Sequence, residues 1–154
     1  MEFTVDATGF ASATGTMQVV RGQLDLDPSR PEQARLDLTL DAASIDTGLA
    51  ARDEAIRGAQ FLNTASFPEI RFTTSAVHPD RAGKATVLGE LEMLGVRRTL
   101  AIDTELDRAP EAEGPVRFTG AARLARSDWG MTAFLPLVGD EVRISFQLTA
   151  VPSP

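Results

Sequence analysis

One pattern constrains this chain more than any other. Apolar and polar residues alternate with a period of two, in one segment after another. Arg35 to Asp41 is the cleanest case: Leu36, Leu38 and Leu40 fall on one side, Asp37, Thr39 and Asp41 on the other. Successive side chains of a strand point to opposite faces, so this pattern writes a half-buried strand even where leucine favours helix. The alternation opens at Glu2–Val5 and returns in Thr14–Asp27 with Met17, Val19, Leu24 and Leu26. Four long rows follow: Ala85/Val87/Gly89/Leu91/Met93, Leu100/Ile102/Thr104/Leu106, Val116/Phe118/Gly120/Ala122/Leu124 and Val142/Ile144/Phe146/Leu148. Ile70, Phe72 and Thr74 share a further face. The opposite faces carry Arg71, Glu90, Glu92, Asp103, Glu105, Arg117, Arg123 and Arg143, so only one face is buried, as antiparallel sheets allow. Turns are expected at Asp27–Pro31 and Asp80–Gly83, a tight reversal at Gly95, and a polar loop over Asp107–Pro115. Gly15 and Gly22 interrupt a strand pattern and mark bends or bulges, which a small closed barrel requires. Roughly seven or eight strands joined by short turns point to an antiparallel sheet closed on itself; a sandwich is the competing layout.

One stretch, Ala43 to Phe72, does not alternate. Leu49 to Ala59 is the helix candidate. Asp46 or Thr47 is placed to cap it, Asp53 and Glu54 suit its positive start, and Ala55, Ile56 and Ala59 give a modest apolar face. Gly58 predicts that it is short. Phe61 and Leu62 follow as an apolar plug, and Phe67-Pro68 ends the irregular part. Arg52-Asp53 reads better as a structural clamp at the helix start than as a functional pair.

With 154 residues the chain fits one domain, taken as 1–154, long enough to bury a core without staples. It contains no cysteine, which excludes disulfides, thiolate metal sites and a cysteine nucleophile. A formal net charge of -7 argues against nucleic acid and anionic membrane as partners. No apolar run reaches the ~18–20 residues of a membrane span. No basic-then-apolar leader precedes Phe3. The expectation is therefore a soluble mature form, a trimmed one, or a protein that never leaves the cytoplasm.

Catalytic and metal chemistry find little support. The single histidine, His78, precedes Pro79 at a strand end, where a solvated side chain is commoner than a general base. No glycine-rich phosphate loop and no Gly-x-Ser-x-Gly is present. No catalytic and no metal-binding residue is assigned. The inward rows are more informative, because they mix large residues with Ala85, Gly89, Thr104, Gly120, Ala122 and Ala150. Small residues facing a barrel axis leave room for an elongated apolar ligand, and strands of ten residues span ~33 Å. Equally, they meet large residues across the barrel and fill its taper. The pattern alone gives the second reading at least equal weight.

Several short motifs add a family resemblance. They are Gly15-Thr16-Met17, Gly22-x-Leu24-x-Leu26-Asp27, Ser44-Ile45-Asp46-Thr47-Gly48, Arg52-Asp53-x-x-Ile56, Phe61 and Phe67-Pro68-x-Ile70-x-Phe72. Further on come Gly89-x-Leu91-x-Met93-x-Gly95-Val96-x-Arg98-x-Leu100, Arg126-Ser127-Asp128-Trp129-Gly130 and Val138-Gly139-Asp140-Glu141-Val142. In this order, over nearly the whole chain, they resemble the YceI-like family of bacterial lipid-binding proteins. The resemblance implies an all-β, eight-stranded, antiparallel, lipocalin-like barrel with one short helix near one end. It implies an elongated apolar cavity for a polyisoprenoid, an isoprenoid quinone or a similar amphiphile, with no other cofactor. Homodimers are among the assemblies it implies. A periplasmic or secreted location is expected if a leader has been removed, a cytoplasmic one otherwise. The chain departs from the family at Ala55, where histidine is frequent, and at Gln60-Phe61-Leu62-Asn63, where Asp-Phe-Phe-Asp is usual. A histidine of the family's first strand has no counterpart. These departures imply a different head-group preference or weaker binding.

The leading expectation is a non-enzymatic carrier or sequestering protein for a lipid-like small molecule. Expected ligand-lining residues are Phe72, Leu91, Leu100, Ile102, Phe118, Ala122, Ile144 and Phe146, with Phe61 and Trp129 closing an end. Two alternatives stand beside it. One is an enzyme acting on an amphiphile through Arg52, Asp53 or Asp128; the other is an interaction domain with a packed core.

Overall fold

The computed structural model describes residues 1–27, 29–81, 83–107 and 114–151. Of the expected features, Pro28, the interior of the Asp107–Pro115 loop and the proline tail lie outside these residues. Among the described residues nine strands form: β1 (Glu2–Ala7), β2 (Phe10–Thr16), β3 (Val19–Asp25), β4 (Arg35–Asp41), β5 (Glu69–Pro79), β6 (Lys84–Met93), β7 (Val96–Leu106), β8 (Val116–Ala125) and β9 (Glu141–Ala150). They make one antiparallel sheet in the order β2-β1-β9-β8-β7-β6-β5-β4-β3. One helix, α1 (Ala50–Arg57), lies between β4 and β5.

The two outermost strands of that order, β2 and β3, are consecutive in the chain and separated only by Met17 and Gln18. The sheet must therefore curl until its edges meet at this corner. What reads in the sequence as one strand from Thr14 to Asp27 is bent there: its first half pairs with β1, its second with β4. The bend raises the expected count of eight strands to nine. The segment after β4 fixes the corner. Thr16 and Asp46 exchange backbone hydrogen bonds of 2.9 and 3.0 Å. At Gly15 a β-carbon would crowd the backbone of Asp46 and Thr47, so this close approach admits only glycine.

The inward rows are those the alternation predicts, except at Val19, which follows the corner at Met17-Gln18 and is exposed at 42%. Phe3, Phe146 and Gly120 share one register row, and Val5, Ile144 and Ala122 the next. Phe72 faces Leu38 on one side and Leu91 on the other. Burial of these rows drives the fold, at ~1.5–3 kcal/mol for each large apolar side chain fully removed from water. The buried residues form two adjoining clusters. One is built around Phe3, Met17, Leu38, Leu40, Ile45, Phe118 and Leu148; the other around Phe72, Leu91, Met93, Leu100, Ile102, Leu124 and Trp129.

Strands β7 and β8 pair only between Asp103–Leu106 and Phe118–Ala121, and diverge beyond. The short 3-10 turn Arg126–Trp129 packs against both strands beside this divergence. Arg98 Nε donates to the Asp128 carbonyl at 3.3 Å, and the Trp129 indole donates to the Leu91 carbonyl at 3.1 Å. His78 is exposed near the end of β5.

The helix is shorter than expected, and neither Asp46 nor Thr47 caps it. Its N-cap is Leu49, without a side-chain bond. Asp46 instead accepts from the Gly48 N–H at 2.9 Å, an Asx turn that holds the chain short of the helix start. Of the expected apolar face only Ile56 reaches the interior, while Ala55 and Ala59 are exposed. Eight residues are too few to hold a helix by propensity alone.

Candidate functional site

Side chains of α1 anchor it to the segment 43–47. Asp53 is buried and accepts from both the backbone N–H and the hydroxyl of Thr47. Arg52 donates through Nε to the same hydroxyl at 2.8 Å and through a terminal nitrogen to the Thr47 carbonyl at 3.0 Å. Arg57 reaches the carbonyls of Ala43 and Ile45 at 2.8 and 2.7 Å. Arg52 and Asp53 thus form a clamp through Thr47 rather than a bonded pair. The Thr47 hydroxyl, more than any other group, holds the Asp53 carboxyl below its ordinary value; the charges of Arg57 and Arg52 add to this.

A second anchor secures the loop between β8 and β9. The guanidinium of Arg126, 2% exposed, donates to the carbonyls of Gly139, Met131, Ala133 and Val138 at 2.7–3.1 Å. Asp140 accepts from the Ser127 N–H and hydroxyl at 2.8 and 2.7 Å, which lowers its pKa, and the nearby Arg126 charge reinforces the shift. The tip of this loop carries Phe134, whose ring stacks on Phe61 at 5.8 Å between centroids.

Between these two anchors lies a cavity of about 260 Å³. All nine strands except β3 contribute to its wall, and Ile56, Phe61, Leu62, Met131 and Val138 border it on the anchored side. The wall is carbon. Among the described residues it has two with polar side chains, Thr47 and Arg126, and both use their hydrogen-bonding atoms on the partners just described. A second cavity of about 660 Å³ continues toward the opposite end of the sheet. Leu24, Leu36, Val77, Val87, Leu106 and Phe118 line its depth, and the charged residues Arg35, Asp80, Arg81, Lys84 and Asp107 surround its mouth. Among the described residues Leu36 alone lines both.

Of the residues singled out in the sequence, Phe61, Phe72, Leu91, Leu100, Ile102, Ala122, Ile144 and Phe146 converge on the first cavity, and Phe118 lies in the second. Trp129 lines neither; it is buried at 2% exposure, a core corner rather than an opening. Asp128 is exposed, and its backbone carbonyl accepts from Arg98 of β7. The sequence reading missed Met131 and Val138, which sit on an irregular loop without alternation. It also missed Arg126, which no spacing marks as buried. Among the described residues, no group of three or more His, Cys, Asp or Glu side chains is arranged to hold a metal ion. No helix among them is long and apolar enough to cross a membrane.

This architecture is that of a curled antiparallel β-sheet with one short helix, and comparison with known proteins identifies its family. The YceI-like domain matches residues 1–150, and the chain belongs to that family. It is 29% identical over 152 residues to a UPF0312 protein of Shewanella baltica (strain OS185), covering 97% of this chain and 80% of the relative. A UPF0312 protein of Ectopseudomonas mendocina is 27% identical over 154 residues, covering 98% and 81%. Among solved structures, Burkholderia cenocepacia BcnA superposes with a TM-score of 0.82 at 22% identity, over 97% of this chain and 96% of that one. A polyisoprenoid binding domain from Saccharophagus degradans, implicated in plant cell wall breakdown, gives 0.68 at 15% identity over 98% and 92%. At these identities the structural likeness speaks for the fold.

Proposed function

We propose that this protein binds a long-chain isoprenoid-type lipid, a polyisoprenoid or an isoprenoid quinone, inside the sheet, and acts as a carrier or sequestering protein without catalysing a reaction. The carbon-walled interior carries this reading. A cavity whose two polar liners are both committed elsewhere offers a ligand nothing but apolar contact, so it selects a hydrocarbon chain. Transfer of that chain from water contributes ~0.8 kcal/mol per CH₂. The polar part of such a ligand belongs at the charged mouth of the larger cavity, where water remains available. The Saccharophagus degradans neighbour, a polyisoprenoid binding domain, supports the same class of ligand.

Native mass spectrometry of the purified protein, with solvent extraction of any adduct, tests the reading. A polyprenyl or quinone species is expected, either co-purified or after addition of ubiquinone or a polyprenyl phosphate. Repeated failure to load would overturn it. One observation favours the packed-core interaction domain as the second reading: Phe72 and Phe146 occupy space beside inward-facing glycines that a tunnel would leave open. Failure to load would select it. Turnover of an amphiphile during prolonged incubation would instead support the enzyme reading.

A further inference from the structure

The two interior cavities are divided at a definite level, and two aromatic rings mark it. On β6 the larger cavity ends at Val87 and the smaller begins at Leu91; the inward residue between them is Gly89. On β8 the larger ends at Phe118 and the smaller begins at Ala122; the inward residue between them is Gly120. Neither glycine is open. A β-carbon at Gly89 would come 2.6 Å from Cε2 of Phe72, and one at Gly120 would come 2.7 Å from Cε1 of Phe146, both closer than any real contact. Each ring is seated flush on the backbone of the neighbouring strand, an arrangement that fills the missing side chain of a sheet glycine.

Resting on the lipid-binding reading above, we propose that Phe72 and Phe146 are chain-length determinants: a ring partition that stops a short isoprenoid tail and that a long one must displace. The volumes set the scale. A 150 Å³ apolar cavity holds one benzene, so by proportion the larger compartment takes on the order of twenty-five carbons and the smaller about ten. A tail reaching in from the charged mouth fills the first compartment with both rings seated. Only a longer tail needs the second, and it must lift the rings from Gly89 and Gly120. The device uses no polar group, so it ranks ligands by length and not by head group.

The test uses the full chain with two isoprenoid alcohols, geranylgeraniol and hexaprenol, competed in native mass spectrometry; hexaprenol is too long for the larger compartment and short enough for the two together. For the unaltered protein, hexaprenol is expected to bind at least ~10-fold more weakly than geranylgeraniol. Phe146→Ala and Phe72→Leu should each shrink that gap to ~3-fold or less. Gly120→Ala should do the same by another route, because its added methyl group unseats the Phe146 ring while leaving both rings in the chain. Circular dichroism selects the variants that fold. Equal binding of the two alcohols by the unaltered protein, or an unchanged gap in every folded variant, would overturn the partition while leaving lipid binding intact. Binding of neither alcohol would remove the lipid reading and the partition with it.

Discussion

The ring of Phe146 lies on Gly120, its cross-strand partner in the β8–β9 ladder, so closely that no other residue fits beneath it. The ring of Phe72 covers Gly89 on β6 just as closely but diagonally: its own cross-strand partner there is Leu91, and Gly89 pairs with Thr74. These seats predict a stability pattern. Gly120→Val and Gly89→Val should each cost ~1–3 kcal/mol by overpacking. Gly22 is the control: a β-carbon there meets only Val19 Cγ1 at 3.4 Å and Leu38 Cδ1 at 3.6 Å, so Gly22→Ala should stay within ~0.5 kcal/mol. Urea midpoints measure all three.

Ala122 projects into the smaller cavity opposite Ile144. Ala122→Trp should fill that space and weaken the binding of a long polyprenol or ubiquinone at least ~10-fold. Titration against the unaltered protein reads the difference; unchanged affinity would show that this wall does not meet the ligand.

Arg126 is a buried charge held by four carbonyls rather than by a bonded carboxylate. Arg126→Met should leave those acceptors without donors and destabilise by ~3–5 kcal/mol, because an orphaned buried polar group bears its full desolvation cost. Arg126→Lys should recover only part of this, since an ammonium cannot match the planar fork. Denaturant unfolding of the three proteins gives the ranking.

Asp53 and Asp140 have pKa values lowered by hydrogen bonds from Thr47 and Ser127, and Asp27 likewise by Ser29. A carboxylate whose folded pKa lies below its unfolded value binds fewer protons in the native state. Its stabilising contribution is complete above the unfolded value of about 4 and is lost as the pH falls through the folded one. The melting temperature should therefore be level near neutrality and drop below about pH 4. Asp53→Asn should lower it at neutral pH and flatten the acid limb. A melt series followed by circular dichroism checks both features.

Trp129 is the only tryptophan and packs against the cluster that includes Phe72 and Leu91. Its fluorescence should be blue-shifted and should respond to a ligand in the smaller cavity. Trp129→Phe should silence the signal and, by leaving the Leu91 carbonyl without its donor, cost ~1 kcal/mol.

Most of the strand rows were legible because their signal is local. Leu36/Leu38/Leu40 and Val142/Ile144/Phe146/Leu148 state which face is buried wherever the strands end up, since a period of two survives any packing. The eight candidate liners on regular strands followed from the same rule, and seven of them line the smaller cavity. The helix was harder to read. Asp46 and Thr47 look like caps in sequence, but Asp46 turns back to Gly48 and Thr47 is gripped by Asp53 and Arg52. Their hydroxyl and carboxylate groups had several partners within reach, and only the fold selected among them.

By itself the sequence determined that the chain forms a one-sided antiparallel sheet, that its inward face mixes large and small residues, and that a short helix interrupts it. Periodicity and turn chemistry act over a few residues and need no knowledge of the rest. The tertiary structure decided what the small inward residues are for. Gly89 and Gly120 read equally as open tunnel or as filled taper. The difference rests on whether a ring from another strand lies over them, which depends on register and on the curl of the whole sheet. The same holds for Arg126: its burial was invisible until the loop from Met131 to Gly139 folded around it and turned its carbonyls inward.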